Sequence, residues 1–397
     1  MKILMINTVC GVGSTGRICA DVAEFMQAEG HDCIVAYGRG RAPERCEKYA
    51  VRIGNALTVC LHGLMARVFD RAGFGSRGAT RRLIKKIRQY DPDVIHLHNL
   101  HGYYLDVQTL FAYLKQTQKP VVWTLHDCWA FTGHCAHYSA FGCQKWREQC
   151  HHCGQKRTYP ASFLFDRSRD NYRRKRALFT APENMVLVAP SKWLAGQVRG
   201  SFLGGYPLEV IYNGVDRSVF RPFPSNVKRR YGLQGQKLAL GVASRWDEQK
   251  GLPFMLRLAE TLGADWTVVL VGLTARQIAA LPAFVVGIAQ TQDRHELAAW
   301  YGAADVYVNV SAQESMGMTS AEAICCAAPV AAFDATATPE IVGENGLVVR
   351  YGDVDALADA VRQLGARGKA FVHGDGERFA LERQCEAYRR LYQQWEA

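Results

Sequence analysis

The sequence predicts an α/β protein of two doubly wound, Rossmann-like parallel-sheet domains, and three observations carry that reading. At 397 residues the chain is too long for one comfortable hydrophobic core, so two domains are expected. Short β-branched apolar runs alternate with helix-length segments throughout, the pattern of parallel strands joined by crossover helices. A turn-rich stretch with prolines, NGVDRSVFRPFPS at 213–225, separates two series of such runs.

The first series comprises KILMIN (2–7), CIVAY (33–37), VIHLH (94–98), VVWTLH (121–126), VLVAP (186–190) and LEVIY (208–212). The second comprises LALGVA (238–243), WTVVLV (266–271), VVGI (285–288), VYVNV (306–310) and VAAF (330–333). The expected domains are residues 1–217 and 218–397, the last helix being free to return to the first domain. Open sheets of this kind gather ligands beyond the carboxyl ends of their strands, which predicts an interdomain cleft as the active site.

Composition narrows the class. A content of 48% hydrophobic and 21% charged residues is that of a soluble globular protein. No apolar stretch is long enough to cross a bilayer, and the first residues lack a basic segment followed by an apolar one, so a cytoplasmic location is expected. Net charge is +11, with 48 Lys+Arg and 37 Asp+Glu. Residues 1–217 hold 30 and 17 of these, leaving 18 and 20 for the remainder, so the first half is +13 and the second −2.

Such asymmetry suggests an anionic partner for the first half, either nucleic acid or a membrane surface, although scattered cations read equally as a solvated basic face without a partner. RRLIKKIR at 81–88 would place Leu83, Ile84 and Ile87 on one helical face among five cations. ALTVCLHGLMARVF at 56–69 is apolar on most sides, and RSRDNYRRKR at 167–176 adds further cations. An apolar helix beside a basic amphipathic one suits the edge of a bilayer, although core packing would account for 56–69 equally. Aromatic-rich RNA-binding signatures are absent, which disfavours nucleic acid. The expectation is a peripheral position on the inner face of the cytoplasmic membrane.

Near the N-terminus, GVGSTG at 11–16 matches the dinucleotide-binding G-x-G-x-x-G in letters, between a strand-like run and a plausible helix. A dinucleotide site also wants an acidic residue at the end of the second strand to hold the ribose. Here CIVAY runs into GRGR at 38–41, offering arginines instead.

The most informative stretch is VSAQESMGMTSAEAICCAAPVAA at 310–332. A strand gives way to a polar loop, and a helix starts near Met318 or Thr319. Backbone N–H groups of Gly317, Met318 and Thr319 would form an anion site at the helix mouth. Glu314 and Glu322, with seven residues between them, would flank it, an arrangement that suits a nucleotide-diphosphate sugar. Taken alone, the pair would equally be a cap and a solvent-facing helical glutamate.

The E-x7-E spacing resembles the signature of retaining GT-B glycosyltransferases of glycosyltransferase family 4. GVASRWDEQKG at 241–251 resembles the family's strand-end loop, in which an arginine and a lysine clamp the donor diphosphate; here these are Arg245 and Lys250. IYNGVDRSVF (211–220) resembles the family's hinge, and APSKW (189–193) the preceding turn. PDVIHLHN (92–99) and TLHD (124–127) resemble strands of the first domain. HNLHGYY (98–104) and WTLHDCW (123–129) are most similar to colanic-acid-type exopolysaccharide transferases. The likeness covers nearly the whole chain with its motifs in order.

The resemblance implies a GT-B fold and a role for each residue. Glu314 would bind hydroxyls of the transferred sugar and Glu322 the nucleotide ribose. Arg245 and Lys250 would offset charge on the leaving diphosphate. His126 would hydrogen-bond the donor sugar, while Gly11, Gly13, Ser14 and Arg17 would face the diphosphate from the other domain. Where the family usually has Phe-Gly after the first glutamate, this chain has Ser315-Met316-Gly317.

Catalysis would need no metal, because the bare D-x-D matches at Asp91–Asp93 and Asp353–Asp355 read as turn and cap residues. The implied activity is retaining transfer of a sugar from a nucleotide diphosphate to a saccharide acceptor. That acceptor would be lipid-linked, in exopolysaccharide, capsule or O-antigen biosynthesis. The alternatives are a GT-B sugar-nucleotide 2-epimerase and an NAD(P)-dependent oxidoreductase.

Thirteen cysteines remain, most of them single within apolar segments. GHCAHYSAFGCQKWREQCHHCG at 133–154 differs: Cys135, Cys143, Cys150 and Cys153 follow a C-x7-C-x6-C-x2-C spacing inside a Cys-rich loop spanning 128–154. In a cytosolic chain such a group points to structural Zn stapling a loop with little core of its own, with free thiols or a redox pair as the alternative.

Overall fold

A computed structural model describes residues 1–372 and 375–395. The chain forms two compact units, Tyr212–Arg383 and the remainder, the latter made of Met1–Ile211 and the chain from Gln384 onward. The division at 211/212 lies before the expected 217/218. Residues after 212 belong with the second unit because Val215 donates its N–H to the Phe379 carbonyl at 2.7 Å and accepts from Leu381 at 3.1 Å.

The first unit carries a seven-stranded sheet: β1 (Lys2–Asn7), β2 (Asp32–Tyr37), β3 (Ala50–Arg52), β4 (Val94–Leu97), β5 (Val121–Thr124), β6 (Met185–Ala189) and β7 (Leu208–Val210). All pairs are parallel, in the order β3-β2-β1-β4-β5-β6-β7. The second unit holds β8 (Lys237–Val242), β9 (Trp266–Val271), β10 (Val285–Ile288), β11 (Val306–Asn309), β12 (Val330–Phe333) and β13 (Gly346–Val349). Its order, β10-β9-β8-β11-β12-β13, repeats the same logic, again all parallel. Strands such as WTVVLV are buried along their whole length because helices cover both faces of a parallel sheet. The two strands that sequence patterning does not predict, β3 and β13, each lie at a sheet edge.

In each sheet the chain winds outward on one side, then jumps back to continue on the other. The switch lies between β1 and β4 in the first unit and between β8 and β11 in the second. Loops leaving those strands diverge, and the crevice they open is where doubly wound sheets bind ligands.

Two helices of the first unit divide the expected membrane edge differently from the sequence reading. In the helix Arg77–Tyr90, Leu83, Ile84 and Ile87 are buried, so its apolar face holds the fold together and its cations face water. The helix Ala56–Phe69, capped by Asn55 accepting from the Thr58 N–H at 3.0 Å, buries only His62, Gly63 and Ala66. The final helix, Leu381–Gln393, contributes Tyr392, whose hydroxyl lies 2.6 Å from His96 Nδ1, and Tyr388, 2.9 Å from Thr124 Oγ1. Among the described residues, no helix is long and apolar enough to cross a membrane.

Candidate functional site

The second unit's switch point assembles the residues singled out by E-x7-E. The loop after β8 and the loop after β11 are tied together by the Ala312 N–H donating to the Gln249 carbonyl at 2.8 Å. Gly251, at φ +76°, turns the first loop into the helix Leu252–Leu262; a Cβ there would meet the Val310 carbonyl oxygen at 2.6 Å. The close approach of the two loops therefore requires glycine.

Lys250 Nζ lies 2.5 Å from Glu314 Oε1, with both side chains partly shielded from water. Glu314 is held by its backbone: its N–H donates to Thr336 Oγ1 at 2.8 Å, and the Thr336 hydroxyl returns to the Glu314 carbonyl at 2.9 Å. Gly317, at φ +88°, ends the loop and heads the helix Met318–Cys325 without a side-chain cap. The first amides of that helix, at Met318 and Thr319, stand at its N-terminus, where N–H groups have no intrahelical acceptor. Tyr307, in β11, is fully buried, its ring edge-on to that of Tyr301 with centroids 5.5 Å apart.

Glu322 lies farther along the helix and is buried, its Oε2 accepting from the Tyr301 hydroxyl at 3.0 Å. Burial and the neighbouring carboxylate push Tyr301 well above the usual phenol range, so it is a fixed donor. Arg245 sits exposed on the Lys250 loop. Thus Glu314, Lys250, Gly317, Met318 and Thr319 share one end of the sheet. Tyr301, Tyr307 and Thr336 escaped the sequence reading because their roles depend on through-space contacts.

At the first unit's switch point, the Gly11–Gly16 loop closes with the Gly11 N–H on the Gly16 carbonyl at 2.8 Å. Gly11 and Gly13 both have positive φ, and the helix Gly13–Ala28 begins with exposed Ser14 and half-buried Arg17, with no acid in its first turn. At the end of β2 the chain continues as Tyr37-Gly38-Arg39, and a Cβ on Gly38 would strike Tyr104 at 2.1 Å. Among the described residues, those that follow β2 directly, Gly38 and Arg39, carry no carboxylate for a dinucleotide ribose.

His126 lies just beyond β5, 3.0 Å from His98 Nδ1 through its Nε2, with the two rings stacked. Burial lowers its pKa to about 4, so it is a neutral imidazole near pH 7. Next to it, His101 Nε2 lies 2.7 Å from Asp127 Oδ2, a pair the sequence reading did not assign. Burial works against the Asp127 charge, but His101 outweighs it and holds the carboxyl down at about 2.

The D-x-D matches prove to be structural. Asp93 accepts from the Lys2 N–H at 2.6 Å, and Asp353 caps the helix Val354–Arg367.

A family profile described as Glycosyltransferase Family 4 matches residues 15–219, more than half of the chain. The chain belongs to glycosyltransferase family 4. The profile for glycosyl transferases group 1 adds residues 237–367.

Among relatives of this family 4 chain, WcaC of Escherichia coli (strain K12), named for colanic acid biosynthesis, is 28% identical over 233 residues, 55% of this chain and 56% of that one. The lipopolysaccharide core biosynthesis mannosyltransferase LpcC of Rhizobium leguminosarum bv. viciae is 32% identical over 250 residues, 54% of this chain and 70% of that one. The match thus spans little more than half the length of the first relative.

Solved structures agree on the fold. Sucrose-phosphate synthase from Thermosynechococcus elongatus superposes with a TM-score of 0.73 at 18% identity, covering 99% of this chain and 98% of that one. Anabaena HepE in complex with UDP and glucose gives 0.69 at 16%, covering 99% and 100%. Each unit of this chain is a Rossmann-like half of the GT-B fold.

The cysteine loop forms its own cavity of about 380 Å³, lined by Cys135, Cys143, Cys150 and Cys153 together with His134 and Trp146. The Gly133 N–H donates to Cys150 Sγ at 3.2 Å, and contact with the Cys135 thiol brings Cys153 down to about 7. His134 Nδ1 lies 2.6 Å from Asp70 Oδ1, leaving its buried Nε2 without a partner. Yet among the described residues no three His, Cys, Asp or Glu side chains are arranged to hold a metal ion. The expected tetrathiolate is gathered around one cavity but not drawn to one point.

Proposed function

We propose that this family 4 chain transfers a sugar from a nucleotide-diphosphate donor to a saccharide acceptor, with retention at the anomeric carbon. The observation that carries it is the Lys250–Glu314 pair set against the uncapped start of the helix Met318–Cys325, at the switch point of the second sheet. A cation, a carboxylate and free amides in that order match the charges of a sugar diphosphate. Structural relatives bound to UDP and to UDP-glucose support the donor class.

In this reading the amides of Met318 and Thr319, with Lys250 and Arg245, stabilise the negative charge that grows on the diphosphate as the glycosidic bond breaks. Glu314 accepts from hydroxyls of the departing sugar, and Glu322, aimed by Tyr301, accepts from the ribose. His126 and the Gly11–Arg17 segment are the first unit's contribution to donor binding. Because cations and a helix terminus supply the positive charge, turnover is proposed to be metal-independent. The acceptor is proposed to be lipid-linked and used in surface polysaccharide synthesis, at a peripheral membrane location.

The test is release of nucleoside diphosphate from a panel of nucleotide sugars, with product configuration read by NMR. Acceptor-dependent release with an unchanged anomeric configuration supports the proposal. Inversion overturns the retaining mechanism, and absence of acceptor-dependent release overturns the activity.

We further propose that Zn staples the cysteine loop through Cys135, Cys143, Cys150 and Cys153, with side-chain rotation closing the set. Cys153, held down at about 7, and the Gly133 N–H on Cys150 favour thiolates, while burial raises Cys150 to about 11 and lowers Lys175 to about 7, so a bound cation would have to offset that burial.

A further inference from the structure

The helix Ala56–Phe69 turns a stripe of apolar residues to water. Leu57, Leu61 and Leu64 are 65%, 53% and 58% exposed, spaced so that all lie along one side. Such a stripe normally buries itself against a core, and here only the opposite side does. The exposed side is extended by a second segment far away in sequence. Phe163, Leu164 and Phe165 form a strap whose side chains are 55%, 66% and 49% exposed.

The strap is fastened to the end of the helix. The Phe163 N–H donates to the Arg67 carbonyl at 2.7 Å and the Phe165 N–H to the Val68 carbonyl at 3.2 Å, while the Phe69 and Phe165 rings stack 5.6 Å apart. Ser162 holds the turn by donating its hydroxyl to the Phe165 carbonyl at 2.7 Å. Three consecutive bulky apolar side chains pinned at a helix end and left in water are an uncommon surface for a lone soluble chain.

Cations rim this patch. Lys156 Nζ reaches the Leu164 carbonyl at 3.3 Å, and exposed Arg67 spreads over Tyr103. Arg71, just past the helix, is crowded by Arg174, Arg167 and Arg77 and feels their like charge. Of the nearby acids, Asp70 is buried against His134 and the Arg167 N–H, and Asp166 accepts from the Cys153 and Ser168 N–H groups. Exposed Asp166 keeps its charge and buried Asp106 pairs with Arg77 at 3.9 Å, so Arg67, Arg71, Arg77, Arg167, Arg174 and Lys156 leave the rim with an excess of cations over carboxylates.

We infer that the helix Ala56–Phe69 and the strap Phe163–Phe165 form one docking surface for an anionic lipid bilayer. The leucines and phenylalanines would enter the interface between headgroups and acyl chains, and the rim arginines and Lys156 would meet the lipid phosphates. Charge complementarity selects this occupant: a second copy would bring the same cations face to face, and repulsion would oppose it. The inference rests on the lipid-linked acceptor only for its purpose, since the geometry concerns the surface alone.

Vesicle flotation of the full chain tests it without reading sugar transfer. The wild type should float with phosphatidylcholine vesicles containing phosphatidylglycerol, release at high salt, and stay behind with phosphatidylcholine alone. Leu61→Asp with Leu64→Asp, and separately Phe163→Ser with Phe165→Ser, should each weaken flotation at least tenfold while thermal melting stays near wild type. Wild-type protein that ignores both vesicles, or variants that float normally, would overturn the inference. So would a light-scattering dimer abolished by the same substitutions, which would make the patch a self-association face. Transfer to a soluble acceptor by a chain that does not float would leave the glycosyltransferase reading standing and remove only the docking surface.

Discussion

Lys250 Nζ and Glu314 Oε1 stand 2.5 Å apart across two loops that leave the sheet on either side of its switch point. One belongs to the loop after β8, the other to the loop after β11, and the Gly251 and Ala312 backbones hold them together. A partly exposed pair of this kind adds at most about 1 kcal/mol to folding. Its value is positional: a cation and a carboxylate are held ready beside free helix amides.

Lys250→Ala and Glu314→Gln should therefore leave the melting temperature nearly unchanged while collapsing turnover. Loss of one preorganised charge at a developing anion typically costs about 10²–10³ in kcat. On the proposed reading both residues serve the same bound donor, so the double variant should lose less than the product of the two single losses. Steady-state kinetics on the three variants provides the check. Wild-type kcat in both single variants would remove the pair from the mechanism.

Tyr301→Phe tests the second glutamate through its partner. The hydroxyl is fully buried and bonds only sideways, to Glu322 Oε2 at 3.0 Å, so its removal leaves a buried carboxylate less satisfied. A hydrogen bond to a charged group contributes roughly 1.5–3 kcal/mol, so a stability loss of that order, seen as a lower melting temperature, is expected. If Glu322 holds the ribose, KM for the donor should rise more than kcat falls. A fall in kcat alone at unchanged KM would argue that Glu322 acts elsewhere.

Much of this was legible in the sequence because parallel strands are buried on both faces and read as continuous apolar runs. The loop glycines were legible too, since Gly317 and Gly251 occupy backbone that other residues resist. Less readable were groups whose meaning lies across space. Asp127 and His101 are 26 positions apart, and Tyr301 looks like any core aromatic until Glu322 is placed against it. RRLIKKIR misled for the same reason: an amphipathic helix shows the same pattern whether its apolar face meets lipid or a core, and Ile87 meets the core.

The cysteine loop gives a compositional prediction. Elemental analysis of protein purified without chelator should find about one Zn per chain, and Cys150→Ser should lose it and melt at lower temperature. Burial lowers Lys175 to about 7, its Nζ donating to the Trp129 and Thr132 carbonyls, and thiolates held by the metal should raise it again. Wild-type protein free of metal would end the proposal and leave the loop as a set of free thiols around a cavity.

Acid should weaken the first unit through its buried histidines. Burial lowers His62 and His126 to about 4 and His96 to about 3, from an ordinary value of 6.5. Between those values the unfolded chain binds protons that the folded chain refuses, so stability rises with pH across that window and is lost as pH falls through it. At about 1.4 kcal/mol per unit, the upper bound is about 3.5 kcal/mol for His62 and for His126 and about 5 kcal/mol for His96. Asp127, held at about 2, adds a later loss as pH falls below the ordinary carboxylate range. His134 runs the other way: burial lowers it, but Asp70 raises it further, so its contribution is present in acid and fades as pH rises. His98, which burial also lowers well below the usual range, makes four imidazoles against one, so a net fall in melting temperature is expected from pH 6.5 downward. His62→Asn, away from the candidate site, should flatten part of that slope. A melting temperature that stays level from pH 6.5 to about 4 would show that these imidazoles accept protons in place.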